Sequence, residues 1–132
     1  MTETEQLATA HRLLELEAFA STCEFRPIMD QVTSRWAQLI VAALLIEPHR
    51  FSALASRIGG ISQKMLSQNL KALVRAGLVS RDVVPTIPPQ VTYSLTELGT
   101  SLAKPMTELI AWFGRHSDQL LQATTAHDDQ NA

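Results

Sequence analysis

A single cysteine, Cys23, occurs in the 132 residues, so no intrachain disulfide can form and a reducing compartment is the default. The four histidines, His11, His49, His116 and His127, share no metal-ligand spacing with one another or with Cys23, which argues against a bound metal. There is no nucleophile elbow, no glycine-rich phosphate loop and no paired carboxylate in a glycine-bounded setting. Catalysis is therefore not expected, and no cofactor is called for. The longest apolar run, 39–46, is far too short to span a bilayer. Residues 1–20 start with Glu rather than Lys or Arg and hold no long apolar stretch, so they do not read as a signal peptide. A cytoplasmic protein without a membrane partner is expected. Positive charge in excess is also lacking: the formal net charge is −2, which at first sight speaks against a polyanionic partner.

What is present changes that impression. Hydrophobic residues make up 45% and charged residues 18%, enough for the core of one domain with terminal extensions. The charges are segregated along the chain. Residues 50–84 hold Arg50, Arg57, Lys64, Lys71, Arg75 and Arg81 against Asp82 alone, whereas both ends are acidic. A basic middle between acidic ends suits steering toward a polyanion.

Residues 61–79, ISQKMLSQNLKALVRAGLV, organise the rest. At roughly 100° per residue, Leu66, Leu70 and Leu73 form a narrow apolar stripe. Met65, Asn69 and Ala76 flank it on one side and Val74 on the other. Lys64, Ser67, Gln68, Lys71 and Arg75 fall on the opposite face, with no carboxylate among them. Ser62 stands at the N-cap position and Gly77 at the left-handed C′ position, predicting a helix over 63–76. Its outer face matches a DNA major groove, where amide and basic side chains reach base edges and phosphates. A plain solvated surface helix carries the same pattern, so the flanking elements must discriminate.

Those elements are as follows. Residues 4–20 have helical composition, with Leu7, Ala10, Leu14 and Ala18 at helical spacing. This arm can dock on its own domain or on a second subunit. A short helix is expected after Pro27. Ser34 then caps a helix over 36–47 whose only strongly polar interior residue is Gln38, so it should be buried nearly all round, at the centre of the domain. Pro48 stops it. His49 to Phe51 form an extended link, with His49 either solvated or on a DNA backbone. Ser52 is the expected cap of a helix ending near Ile58, with Leu54, Ala55 and Ile58 inward. Gly59 and Gly60 make the turn into the central helix, which completes a helix-turn-helix.

After Gly77 the period becomes twofold. Val79, Arg81 and Val83 alternate with polar neighbours, as do Val91, Tyr93 and Leu95. Two such runs predict a β-hairpin with a six-residue tip, 85–90, stiffened by Pro85, Pro88 and Pro89. A helix-turn-helix followed by a two-stranded ribbon is the winged variant. Thr96 caps the last helix, along which Leu98, Leu102, Met106, Leu109, Ile110 and Phe113 recur, with Gly99 and Pro105 as imperfections that bend it. Trp112, Leu120 and Leu121 widen the apolar surface beyond what a small core covers, pointing to a dimer interface. Residues 124–132 are polar and expected to be without structure. The expected architecture is mainly α with a small β-hairpin: an arm at 1–22, a winged helix-turn-helix with its dimerisation helix at 23–116, and a helix end and tail at 117–132.

So laid out, the chain resembles the HxlR-type winged helix-turn-helix transcription regulators of bacteria, relatives of the MarR group. The matching pieces are 23–29, the Arg35-Trp36 pair with its apolar helix, PHRFSAL at 48–54, GISQKMLSQNLKAL at 60–73, GLVSR at 77–81 and PPQVTYSLTELG at 88–99. The resemblance implies a homodimer on inverted-repeat double-stranded DNA. It implies a recognition surface of Ser62, Gln63, Lys64, Ser67, Gln68 and Lys71, to which Arg75 adds a cation. The wing carries Arg81, Thr86 and Gln90, with Arg50 on its flank. Leu7, Leu14, Leu102, Met106, Leu109 and Phe113 are the expected dimer contacts. Cys23 stands where some relatives sense oxidants or electrophiles, which makes it the candidate redox sensor; a small-molecule effector is equally admissible. Members commonly carry a basic residue in place of Gln90 and Pro in place of Glu24. The alternative to a DNA-binding regulator is a winged-helix module for protein contact, which the acidic total charge would suit.

Overall fold

The computed structural model describes residues 2–15 and 19–132, with the side chains of 13 and 14 excepted. In chain order the elements are α1 (Glu3–Glu15), α2 (Arg26–Val32), α3 (Arg35–Ile46), β1 (His49–Arg50), α4 (Phe51–Arg57), α5 (Gln63–Arg75), β2 (Val79–Val84), β3 (Gln90–Leu95), α6 (Glu97–Arg115) and α7 (Ser117–Gln130). Helices α2 to α6 pack around a core of Ile40, Val41, Leu44, Leu54, Leu66, Leu70 and Leu73, closed on one side by Ala103 and Met106 of α6. Among the described residues no helix is long and apolar enough to cross a membrane.

Three caps, at Ser34, Ser62 and Thr96, fall where the sequence puts them. The Ser34 hydroxyl accepts from the Ala37 N–H at 3.3 Å, and the Thr96 hydroxyl accepts from Gly99 N–H at 3.0 Å. The Ser52 cap does not form: α4 begins at Phe51, with Arg50 in the cap position and no side-chain bond there. The reason is the neighbouring strand. Arg50 is held extended by pairing with Thr92 and takes the cap position, so the chain turns helical two residues sooner. That pairing also makes the sheet three-stranded, in the order β1-β3-β2, where the sequence suggests a hairpin alone.

Helix α3 is less enclosed than expected. Ala37, Ile40, Val41, Ala43 and Leu44 are buried, but Leu39, Leu45 and Ile46 are exposed because α5, α6 and the sheet cover only one side. The N-terminal helix is described over Glu3–Glu15, and Phe19 and Ala20 lie in a turn and bend, so it does not reach residue 20 as expected. At the other end, 124–130 are helical as part of α7, which buries no residue. Polarity removes a helix from a core without removing its capacity to form. Pro105 stands inside α6, and the helix breaks at His116, whose N–H still reaches the Trp112 carbonyl.

Candidate nucleic-acid interface

Helix α5 is fixed from behind and free in front. Leu66, Leu70 and Leu73 are buried to 2% exposure or less, each contributing roughly 1.5–3 kcal/mol of hydrophobic stabilisation. The Ser62 hydroxyl accepts from the Met65 N–H at 3.1 Å, capping the first turn. Gly77, at φ +76, closes the last one, and its carbonyl accepts from the Thr96 hydroxyl at 2.7 Å. A further tether connects α5 to the start of α3: Ser34 Oγ donates to Asn69 Oδ1 at 3.2 Å, while Asn69 Nδ2 donates to the Met65 carbonyl. Asn69 lies on the flank of the stripe, and nothing in its sequence neighbourhood names Ser34 as its partner.

With its back held, the helix presents Gln63, Lys64, Gln68, Lys71 and Arg75 to solvent, with Ser67 half-buried beside them. No acidic side chain occurs anywhere in α5. Among the described residues the single ion pair is Arg57 with Glu47 at 3.9 Å, both exposed, so the cations of α5 and β2 are not neutralised from within. The face has the donors and charge that a phosphate backbone and base edges accept.

The wing is set beside this face by register. Arg81 pairs with Tyr93 and Val84 with Gln90, leaving a tip at 85–89. Arg81 thereby comes to line, with Ser67, Lys71, Arg75, Phe51 and Tyr93, a hollow between α5 and the sheet. Arg50 and Gln90, 40 residues apart, are joined: Arg50 Nη2 donates to Gln90 Oε1 at 2.8 Å. Gln90, directly beside the tip, thus holds the Arg50 guanidinium against the wing. The Thr86 hydroxyl is engaged inside the tip, donating to the Pro88 carbonyl at 2.8 Å.

Other expected site residues are placed differently. His49 is not on the surface. It is 5% exposed, its Nδ1 lies 2.7 Å from the Glu47 carbonyl, and Nε2 has no partner. Its place in β1 turns it inward, away from any backbone contact with DNA. Met106 is buried, and Leu102 is half-buried on the same core. Both therefore complete the protomer rather than standing free for a second copy, because the α6 stripe they belong to lies on α3. Leu109 and Phe113, one to three turns further, are exposed, as is Leu7 on α1; the Leu14 side chain lies outside the described residues. Cys23 is buried at 9% exposure, so an oxidant reaches its thiol only after local opening.

Phe51 and Tyr93 beside the basic face are not singled out by sequence pattern. The signal that would have found Tyr93 is the hairpin register, which sets it opposite Arg81 once the tip is counted as five residues.

The HxlR-like helix-turn-helix family matches residues 31–120, from the end of α2 through the whole recognition unit and wing to the start of α7. The chain belongs to this family. It is 40% identical over 116 residues to the HTH-type transcriptional regulator YtfH of Escherichia coli, covering 88% of this chain and 92% of that protein. Among solved structures, the transcriptional regulator ytfH from Salmonella typhimurium superposes with a TM-score of 0.77 at 41% identity, over 81% of this chain and 96% of that one. The redox regulator HypR in its reduced form gives a TM-score of 0.67 at 29% identity, over 71% and 93%. This HxlR-family chain is thus a helix-turn-helix transcription regulator, not an enzyme, and its mainly helical fold with a three-stranded antiparallel sheet is that of the winged-helix regulators.

Proposed function

We propose that the protein binds double-stranded DNA in the cytoplasm as a homodimer, on an inverted-repeat operator. In each protomer α5 enters a major groove and the wing follows the adjacent backbone. The observation that carries this reading is the acid-free outer face of α5, anchored on three fully buried leucines. Leu109, Trp112 and Phe113 supply the exposed apolar surface for pairing, with Leu7 of the arm as a further contact. Twofold pairing places the two recognition helices about one helical turn, roughly 34 Å, apart.

The roles divide along the helix. Lys64, Lys71 and Arg75 take phosphates. Gln63, Ser67 and Gln68 read base edges, and Ser62 both caps α5 and stands within reach of a phosphate. A salt titration tests the reading: the observed association constant should fall linearly with salt in log-log form, with a slope reporting several phosphate contacts. On top of this, Lys71→Ala should weaken every duplex alike, whereas Gln68→Ala should cost about 1–3 kcal/mol on the cognate site and little on random DNA. Equal losses on both duplexes would remove Gln68 from base readout. A flat salt response would favour a protein-contact module instead.

A redox response through Cys23 is supported by the likeness to the redox regulator HypR and opposed by the burial of the thiol. With one cysteine in the chain, oxidation ends in a disulfide between subunits or with a small thiol. Ellman's reagent should accordingly react more slowly with the folded protein than with the protein in urea. Equal rates would show the thiol to be open in the native state.

A further inference from the structure

The wing loses its charge where it leaves the body of the protein. Arg81 is its last cation, and from Val83 to Thr96 no residue carries a charge at neutral pH. Arg81 and Tyr93, paired across the ladder, line the basic hollow; Val83 and Val91, paired two residues further out, continue that face as an apolar step. Beyond them Ile87 stands at the tip with a relative exposure of 101%, the highest of any large apolar side chain among the described residues. Its support is stiff. Pro85, Pro88 and Pro89 fix their own φ angles, the Thr86 N–H donates to the Val84 carbonyl at 2.8 Å, and the Thr86 hydroxyl donates to the Pro88 carbonyl at 2.8 Å. A branched apolar side chain is thus held out in water on a narrow, uncharged mount.

A ribbon that only tracked phosphates would carry cations to its end, as the outer face of α5 does. From Arg81 to Val84 the strand advances about 10 Å at roughly 3.3 Å per residue. With Arg81 on the backbone at the edge of the major groove, the tip therefore stands over the adjoining minor groove, which is roughly 6 Å wide. That width excludes a strand or a helix but admits one side chain. We propose that Ile87 enters this groove as an apolar wedge between two base pairs and so selects the step it opens. The inference rests on the DNA reading above and adds to it a determinant of specificity that makes no hydrogen bond. Partial unstacking is cheapest at pyrimidine–purine steps, so each half-site should carry a TA or CA/TG step at a fixed distance outside the bases read by α5. The duplex should bend there toward the major groove.

The test begins with selection from random duplexes by the full-length wild type and by Ile87→Ala. The wild type should enrich an inverted repeat flanked by pyrimidine–purine steps, and the variant should keep the repeat and lose the flanking preference. On the wild-type repeat, Ile87→Ala should bind about tenfold more weakly, as expected for losing most of a buried aliphatic side chain. Its salt slope should be unchanged, because no phosphate contact is removed. Ile87→Leu should stay within about threefold of wild type, and energy transfer between end-labelled fluorophores should report a bend with wild type that Ile87→Ala relaxes. The side chain touches no core residue, so both variants should melt with the wild type. An unchanged affinity and flanking preference in Ile87→Ala would overturn the wedge and leave the DNA reading intact. A weaker affinity with a shallower salt slope would also overturn it, by assigning the tip to phosphate contact, as would a variant that loses self-association in sedimentation, by assigning it to protein. Wild type that binds no duplex at low salt would sink the DNA reading and the wedge together.

Discussion

Phe113→Glu should make the protein monomeric while leaving it folded. Phe113 is 52% exposed in the protomer, its ring meeting Trp112 edge-on at 5.2 Å, and Trp112 in turn stacks on His116 at 4.5 Å. The side chain therefore contributes little to the domain core, and its loss leaves Ala103 and Met106 seated on α3. In a twofold interface the same substitution enters twice, and each buried unpaired carboxylate costs several kcal/mol. A dimer bound to two half-sites gains its second contact at high effective concentration, so monomerisation should lower affinity for the inverted repeat by about 10²–10⁴. Affinity for a single half-site should stay within about threefold of wild type, since the phosphate and base contacts of one protomer are untouched. Sedimentation velocity and fluorescence anisotropy on full-site and half-site duplexes read the two effects. A variant that remains dimeric with undiminished full-site affinity would move the interface away from this end of α6.

Gly99→Ala should be the most destabilising single methyl group that can be added to α6. Any Cβ at Gly99 would overlap the Leu78 carbonyl oxygen and sit 3.2 Å from Leu95 Cδ2. That carbonyl has no room to retreat, because it accepts from the Thr96 N–H at 3.0 Å, in the turn that also receives the Gly77–Thr96 bond. Alanine is favoured over glycine inside a helix by about 1 kcal/mol, but forcing a methyl into a filled contact costs about 1–3 kcal/mol or more. Here the obstacle is backbone, so the upper end applies and the clash wins. The melting temperature should drop by about 10 °C. Gly114→Ala is the matched control: nothing lies within 4 Å of its added Cβ, so helix propensity acts alone and stability should hold or rise. If the two variants melt alike, the close packing of α6 on the turn after α5 is not as described.

Gly99 also shows where sequence reasoning stops. In the sequence it is a weak helix former near a helix start. Only the approach of β2 and its preceding turn makes it the residue that lets α6 dock at all. The central helix is the opposite case. Its stripe of Leu66, Leu70 and Leu73, its Ser62 cap and the glycine after it are all local, so its face can be read from spacing alone. The fate of Met106 differs again: helical spacing groups it with Leu109 and Phe113, but which of these meets the protomer's own α3 depends on how α6 is rotated against the core.

The hairpin is the sharpest instance, because strand periodicity has no tolerance. A tip of six residues would pair Arg81 with Ser94, whereas the observed five-residue tip pairs it with Tyr93 and closes the basic hollow against α5. Two residues, His49 and Arg50, are too few to announce a strand, and they became one only because β3 offered a free edge. Pattern and composition alone determined the winged helix-turn-helix order, the acid-free helix and the segregation of charge, since each arises from contacts within a few residues along the chain. Register, the third strand, the inward turn of His49 and the gathering of Ser67, Lys71, Arg75 and Arg81 around one hollow were left to tertiary structure. Those depend on which distant surfaces meet, and the free energy that selects among such meetings resides in the packed core rather than in any local stretch.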